Sequence, residues 1–314
     1  MSSERNDLRA EAIDWSKGAA YIDGRFMPLS DAKIPVTDWG YRRSDVTYDV
    51  VGVYYGAFFR LDDHLRRFRA SMDKLRMKPP ETNEQIRTIL MDLVARTGLR
   101  EAYVAMDCLR GRPLPGRRFH PVEARNYLVA YAMPWVNIFS EEKQLQGIHV
   151  IVAKTPRIAE DSVDPTAKNF HWGDFTKALF EADEQNADTA VLLDRDGLVT
   201  EGPGFNVFSI TDGKVVSPDR GSLEGVTRLS VFELCDELGI PHEIRALPVE
   251  QLRDADEIFL ATTAGGIMPV SRVDGRMMGN DRPGPISMAL RERFWKRRAE
   301  GWHATPVIYD QAAA

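Results

Sequence analysis

The chain has 314 residues, 43% of them hydrophobic and 28% charged, the balance of an ordinary soluble globular protein long enough for two domains. A net charge of −6 argues against the basic face of a nucleic-acid binder, and two cysteines, Cys108 and Cys235, are too few for a disulfide framework and lack the spacing of a metal site. The stretch Met1 to Ala10 has no apolar core like that of a signal peptide, and no apolar run nears the roughly 18 residues of a membrane span, so a soluble cytoplasmic protein is expected, with neither membrane nor nucleic acid as partner.

Residues 1–17 read as a loose polar arm and residues 18–134 as an α+β domain. Tyr21 to Phe26 carries Asp23-Gly24, which supplies the positive φ angles of a tight hairpin. Residues 46–60 are rich in Val, Tyr and Phe and predict two strands around Gly56. Leu65, Phe68, Met72 and Leu75 recur at three or four residues and predict an amphipathic helix over 62–75. Ile86, Ile89, Leu90, Leu93 and Val94 predict a second helix over 83–97. Strands over 101–109 and 126–133 flank an arginine- and proline-rich loop, 110–121. Residues 135–146 read as a linker, and 147–314 as a second domain.

That domain opens with a strand over 148–153, followed by a long loop with prolines at 156 and 165 that ends at Lys168. A helix is predicted from about Trp172 to Asn186. Strands follow over 189–194, 197–201, 205–210 and 214–217, with turns at Arg195-Asp196-Gly197 and Asp212-Gly213. Many short strands joined by such turns suggest a sheet folded toward a barrel. Further helices are expected over 227–238 and 286–299, and a buried strand over 257–262.

Four motifs carry chemistry. Lys168 sits among aromatic residues in Lys168-Asn169-Phe170-His171-Trp172-Gly173-Asp174, and Glu201 follows in Thr200-Glu201-Gly202-Pro203-Gly204-Phe205-Asn206. A lysine able to hold an aldehyde cofactor as an imine, and an acid able to keep a proton on its ring nitrogen, are the two groups a pyridoxal phosphate enzyme needs. Gly202 and Gly204 let backbone approach a flat ligand, and Asn206 is placed to orient Glu201. Ser222 to Arg228 leads into a helix with Thr227 as the expected N-cap, and a helix start is a natural phosphate site. Thr262-Thr263-Ala264-Gly265-Gly266 ends a buried strand with hydroxyls and open amides suited to an anion. Arg67 offers a bidentate fork to phosphate, with Arg66 as a competing candidate, whereas His64 reads as a satisfied structural histidine. Taken singly, Lys168 is a surface lysine, Glu201 a turn residue and Thr227 a plain cap; their order along the chain carries the reading.

With these motifs the chain resembles the class IV aminotransferases of pyridoxal phosphate fold type IV, and within them the (R)-selective amine transaminases. The likeness runs from about residue 18 to 310. It implies an α+β fold of two domains, D-amino acid/branched-chain aminotransferase-like, with a smaller N-terminal domain and a C-terminal pseudo-barrel. It implies pyridoxal 5'-phosphate between the domains of a homodimer, and catalysis by Lys168. Arg67, Val226, Thr227 and Thr263 would hold the phosphate, Val226 through its backbone. Glu201 would pair with the ring nitrogen, with Leu223 on one ring face and Asn206 and Thr262 nearby. Arg43, Tyr48, Tyr103, Arg117, Arg118, Trp172, Thr263 and Ala264 would face the substrate. Arg43 stands where many amine transaminases carry histidine, and serves either a carboxylate or the structure. Arg117 or Arg118 would swing in to bind a keto-acid carboxylate. Branched-chain members carry an arginine two residues after a pocket tyrosine, where this chain has Tyr103 and Ala105, and the Arg-x-His trap of D-amino acid members is missing from 103–109. The expected reaction moves an amino group from an (R)-amine to a keto acid such as pyruvate, by a ping-pong route. D- or branched-chain amino acid aminotransferase, or aminodeoxychorismate lyase, is the alternative on the same fold, and a binding protein that kept only the scaffold stands outside that class.

Overall fold

Asp23 and Gly24 take φ angles of 45° and 90° and turn β1 (Ala19–Ile22) back on β2 (Arg25–Pro28), as an Asp-Gly pair permits. The computed structural model describes residues 14–311; positions 1–13 of the expected polar arm and 312–314 lie outside the described residues. Asp38 caps α1 (Trp39–Arg43) by accepting from Gly40 N at 2.6 Å. The sequence gives no sign of this helix, because five residues are too few to show a period. Tyr55 and Gly56 turn β3 (Val46–Tyr54) into β4 (Ala57–Phe59). The helices α2 (Leu61–Lys74) and α3 (Asn83–Thr97) follow as predicted, the second opened by a Thr82/Gln85 capping box. The strands β5 (Ala102–Leu109) and β6 (Tyr127–Pro134) complete the first half.

The linker contains a helix of its own, α4 (Glu141–Gln146), begun by Ser140. After it come β7 (Ile148–Val152), α5 (Gly173–Glu184), β8 (Thr189–Val191), β9 (Glu201–Gly202), β10 (Phe205–Thr211) and β11 (Lys214–Ser217). The chain continues through α6 (Val226–Leu238), β12 (His242–Ile244), α7 (Val249–Asp254), β13 (Glu257–Thr262) and β14 (Gly266–Val273). It ends with β15 (Arg276–Met277), α8 (Pro285–Ala299) and β16 (Ala304–Pro306). No helix among the described residues is long and apolar enough to cross a membrane.

Two sheets result. The first is wholly antiparallel, in the order β16-β4-β3-β5-β6-β1-β2. Residues 304–306, read as part of the second domain, thus form the outer strand of the first sheet. Alternate residues Val51, Val53, Val104, Met106, Leu128 and Ala130 face α2 and α3, and with Phe58, Phe68 and Leu90 they make the first core. The opposite face presents Tyr48, Val50, Tyr103, Ala105, Asp107 and Tyr131, aligned by the registers Tyr48↔Asp107 and Val50↔Ala105↔Tyr131.

The second sheet runs β12-β11-β10-β13-β14-β7-β8, and β9 also pairs with β10. Leu192 N donates to Glu201 O and Thr200 N to Leu192 O, both at 3.0 Å, which joins the end of β8 to β9. These bonds close the ring β10-β13-β14-β7-β8-β9, a pseudo-barrel filled by Val150, Val191, Val199, Val207, Leu260 and Met268. The strands expected over 189–194 and 197–201 shrink to β8 and β9, with a single bridge, Leu193↔Val199, between the segments that follow β8 and precede β9, because the chain bends sharply through 194–198.

Candidate active site

Where the open face of the first sheet meets the mouth of the barrel lies a cavity of about 310 Å³. Lys168 is held there by its backbone. Its carbonyl accepts from Thr47 Oγ1 at 2.7 Å and Tyr48 N at 3.1 Å, and its amide donates to Ser71 Oγ at 3.2 Å. The loop after β7 is thereby strapped to β3 and α2, and Lys168 Nζ lies 4.3 Å from the centroid of the Tyr48 ring. The side chain stays half-buried and open to the cavity.

Glu201 lines the same cavity and is buried. Its Oε2 accepts from Leu223 N at 2.9 Å and its Oε1 from Arg157 Nη2 at 3.0 Å. Burial raises the carboxyl above its ordinary range; Arg157, the Leu223 amide and the charge of Lys168 act against that rise. Arg157 also donates to Asp174 Oδ2 at 2.7 Å and stacks on Phe175 at 4.2 Å. Sequence reasoning missed Arg157. It stands in an irregular loop, 44 residues before the acid it holds, with no periodic signal. Asn206 is paired with Glu201 across β9 and β10, but its side chain makes no hydrogen bond to the Glu201 carboxylate. Its amide donates to Leu223 O at 2.8 Å, and so steadies the backbone whose amide binds Glu201.

At the other end of the cavity, α6 begins one residue earlier than expected. Its N-cap is Gly225, and Thr227 is the second helical residue, not the cap. No side chain caps this helix, so its first amides are unclaimed from within. A Cβ at Gly225 would lie 1.9 Å from Asn206 Oδ1, so only glycine lets the helix start this close to β10. Val226, Thr227, Thr262, Thr263 and Ala264 line the cavity beside it. The Thr262 hydroxyl is engaged with Gly204 O at 2.7 Å and fixes the turn between β9 and β10.

Arg67, not Arg66, reaches this end. Arg67 grips Asp49 through Nε and Nη2 at 2.8 and 2.7 Å and donates to Glu224 O at 3.2 Å. Arg66 points outward to Asp63. His64 is buried against Asp49 at 2.8 Å, a structural partner. Burial opposes ionisation of Asp49, but Arg67 and His64 outweigh it and hold the carboxyl well below its usual range.

Tyr48, Tyr103 and Trp172 line the cavity as expected, with Val136 and Ile138 of the linker on the same wall. Three expected substrate arginines do not line it. Arg43 is exposed and stacks on Trp39 at 3.8 Å. Arg117 and Arg118 are exposed on their own loop, where Arg118 faces Glu123. The base of that loop is pinned by Arg110, which is bound to Asp45 and to the carbonyls of Leu75 and Arg76. Among the described residues no cluster of ligating side chains suits a metal ion.

A lysine and a buried acid on the same cavity, glycine-flanked backbone and an uncapped helix start beside an arginine fit pyridoxal 5'-phosphate. The chain matches the family model for amino-transferase class IV over residues 47–273. It is 29% identical over 268 residues to the D-alanine aminotransferase of Bacillus licheniformis, covering 85% of this chain and 92% of that one. It is 28% identical over 291 residues to a branched-chain-amino-acid aminotransferase of Salmonella typhimurium, covering 89% and 93%. The T.th. branched-chain amino acid aminotransferase with pyridoxamine 5'-phosphate is similar in structure, with a TM-score of 0.85 at 29% identity over 93% of this chain and 99% of that one.

Proposed function

The chain belongs to the class IV aminotransferases, and we propose that it takes the amino group from an (R)-amine and gives it to a keto acid such as pyruvate. It is a pyridoxal phosphate enzyme, with the two-domain fold of its class. When bound, the cofactor supplies an aldehyde carbon that takes up the amine and a protonated ring that draws electrons from the substrate carbon. Lys168 Nζ would take the proton from the substrate carbon as a general base and deliver it, as a general acid, two bonds away on the far side of the transferred nitrogen. Its backbone strap to β3 and α2 fixes where the amine can swing. Glu201 would keep the ring nitrogen protonated, and Arg157 with the Leu223 amide keeps Glu201 oriented. Arg67, the first amides of α6 and Thr263 would hold the phosphate. Leu223, on the cavity wall, would pack on the ring. Asn206 and Thr262 brace these contacts. Thr263 and Ala264 edge the substrate side.

The observation that carries the donor class is Ala105. It shares a chamber wall with Tyr103 and lies opposite Val50, at the position where, by the resemblance, branched-chain members carry a carboxylate-binding arginine. With no cation there, an amine without a carboxylate is the better fit. The names of the relatives favour a second reading, a branched-chain or D-amino acid aminotransferase. A homodimer and a cytoplasmic setting belong to the proposal on resemblance alone. The test follows the cofactor absorbance with (R)- and (S)-1-phenylethylamine, then alanine formation from pyruvate. Conversion of the (R) form alone supports the proposal. Turnover of branched-chain or D-amino acids with no reaction of either amine overturns it. Lys168→Ala should lose the imine absorbance and at least about 100-fold in rate.

A further inference from the structure

A second chamber of about 510 Å³ adjoins the first and shares Tyr48, Tyr103 and Trp172 with it. Its walls are mostly aromatic and aliphatic, with one carboxylate, Asp107 of β5. Asp107 is half-buried and lies directly across the β3–β5 pair from Tyr48, whose ring carries Lys168 Nζ on its face. Opposed residues in such a pair stand about 5 Å apart. The chamber is therefore one side chain away from the reacting amine.

A carboxylate in a cavity normally comes with a partner. The other acids close to the cofactor site have one: Asp49 has Arg67 and His64, and Glu201 and Asp174 share Arg157. The Asp107 carboxylate has no hydrogen bond or ion pair with any described residue, and no Lys, Arg or His lines its chamber. The charged or titratable groups that face it are Tyr48 on β3, Tyr103 on β5, Tyr131 on β6 and Tyr41 on α1. Aromatic faces around an unpaired carboxylate form a site for a small organic cation. The carboxylate also repels a second one.

Resting on the transaminase reading, we propose that this chamber receives the far end of a substrate bearing a second ammonium group, with Asp107 as its counter-ion. Two sources share that chemistry, a simple diamine, which suits the amine reading above, and a basic amino acid, which suits the second reading.

Burial pushes the Asp107 carboxyl up to about 7. The selectivity therefore strengthens as pH rises through that value, while a primary ammonium stays charged to about pH 10.

The test compares near-isosteric donors with the pyridoxal phosphate-loaded enzyme at pH 8. One pair is 1,4-diaminobutane against 1-aminopentane; the other is ornithine against norleucine, each in D and L forms. In at least one pair the charged donor should lead at least tenfold in kcat/KM, and the pair that shows it identifies the source. Asp107→Asn should erase that ratio, and Asp107→Leu should do the same if the Asn variant fails to fold. The ratio is read within one protein, so a general loss of activity does not mimic the effect. A wild-type ratio of one or less in both pairs overturns the proposal, as does a ratio that survives both substitutions. If (R)-1-phenylethylamine still converts the cofactor in that case, the donor reading stands and only this inference falls. If no amine or amino acid changes the cofactor absorbance, both fall.

Discussion

Arg157 holds two buried carboxylates with one guanidinium, and the ring-binding acid depends on it. Arg157→Met would leave Glu201 and Asp174 buried without a cation, a loss of about 3 kcal/mol that a denaturation midpoint would read. It should also raise the Glu201 carboxyl further, so the ring proton is held less firmly and kcat falls more than cofactor affinity. Asp107 makes a second prediction at this scale. Its carboxyl is raised to about 7 in the folded chain, against about 3.9 unfolded. Between those values the folded state holds a proton that the unfolded state has released, so stability falls as pH rises across this window. Relative to wild type, Asp107→Asn should gain about 2 kcal/mol between pH 4 and 7, less than the full shift because the group is partly solvated. A pH-independent difference would contradict this.

Among the elements, α6 and its glycine cap decide whether an anion is held. Gly225→Ala drives a Cβ into Asn206 Oδ1, so the helix start must shift. We expect at least tenfold weaker pyridoxal phosphate binding in a spectroscopic titration, with little change in helix content. The long elements are legible in the sequence because α2, α3 and α6 are 13 to 15 residues long and show an apolar period. The elements α1, α4 and α7 are too short to show one. The strand β14 is hidden by Pro269 in its middle, a residue that normally argues against a strand between two neighbours. The site is legible where a motif is contiguous, at Lys168, Glu201 and Thr263. Arg157 is not, because its partners are far along the chain and its loop has no pattern. Asp107 gives no signal, because alternation explains a strand residue without saying what it faces.

For the whole molecule, the seam between the sheets is also the site. Lys168 is bonded across it to β3 and α2, Ala264 O accepts from Ile138 N at 2.9 Å, and Phe59 of the first sheet packs on Phe294 of α8 at 5.6 Å. The outer strand β16 adds a further tie. Val307 N donates to Gly56 O at 2.9 Å, and Tyr309 bonds the Leu99 carbonyl at 2.7 Å. Ending the chain after His303 should cost on the order of 3 kcal/mol by removing the buried Val307, the half-buried Tyr309 and their hydrogen bonds. Thermal melts should show it, and the unfolding of the first sheet should separate from that of the second. The return of β16 also orders events during synthesis. A ribosome makes the first sheet's other six strands early, yet their outer edge at β4 stays unpaired until every strand of the barrel has been translated. Over that interval an open β-edge is exposed to other nascent chains, so the N-terminal half is the part of this protein that most needs shielding while it is being made.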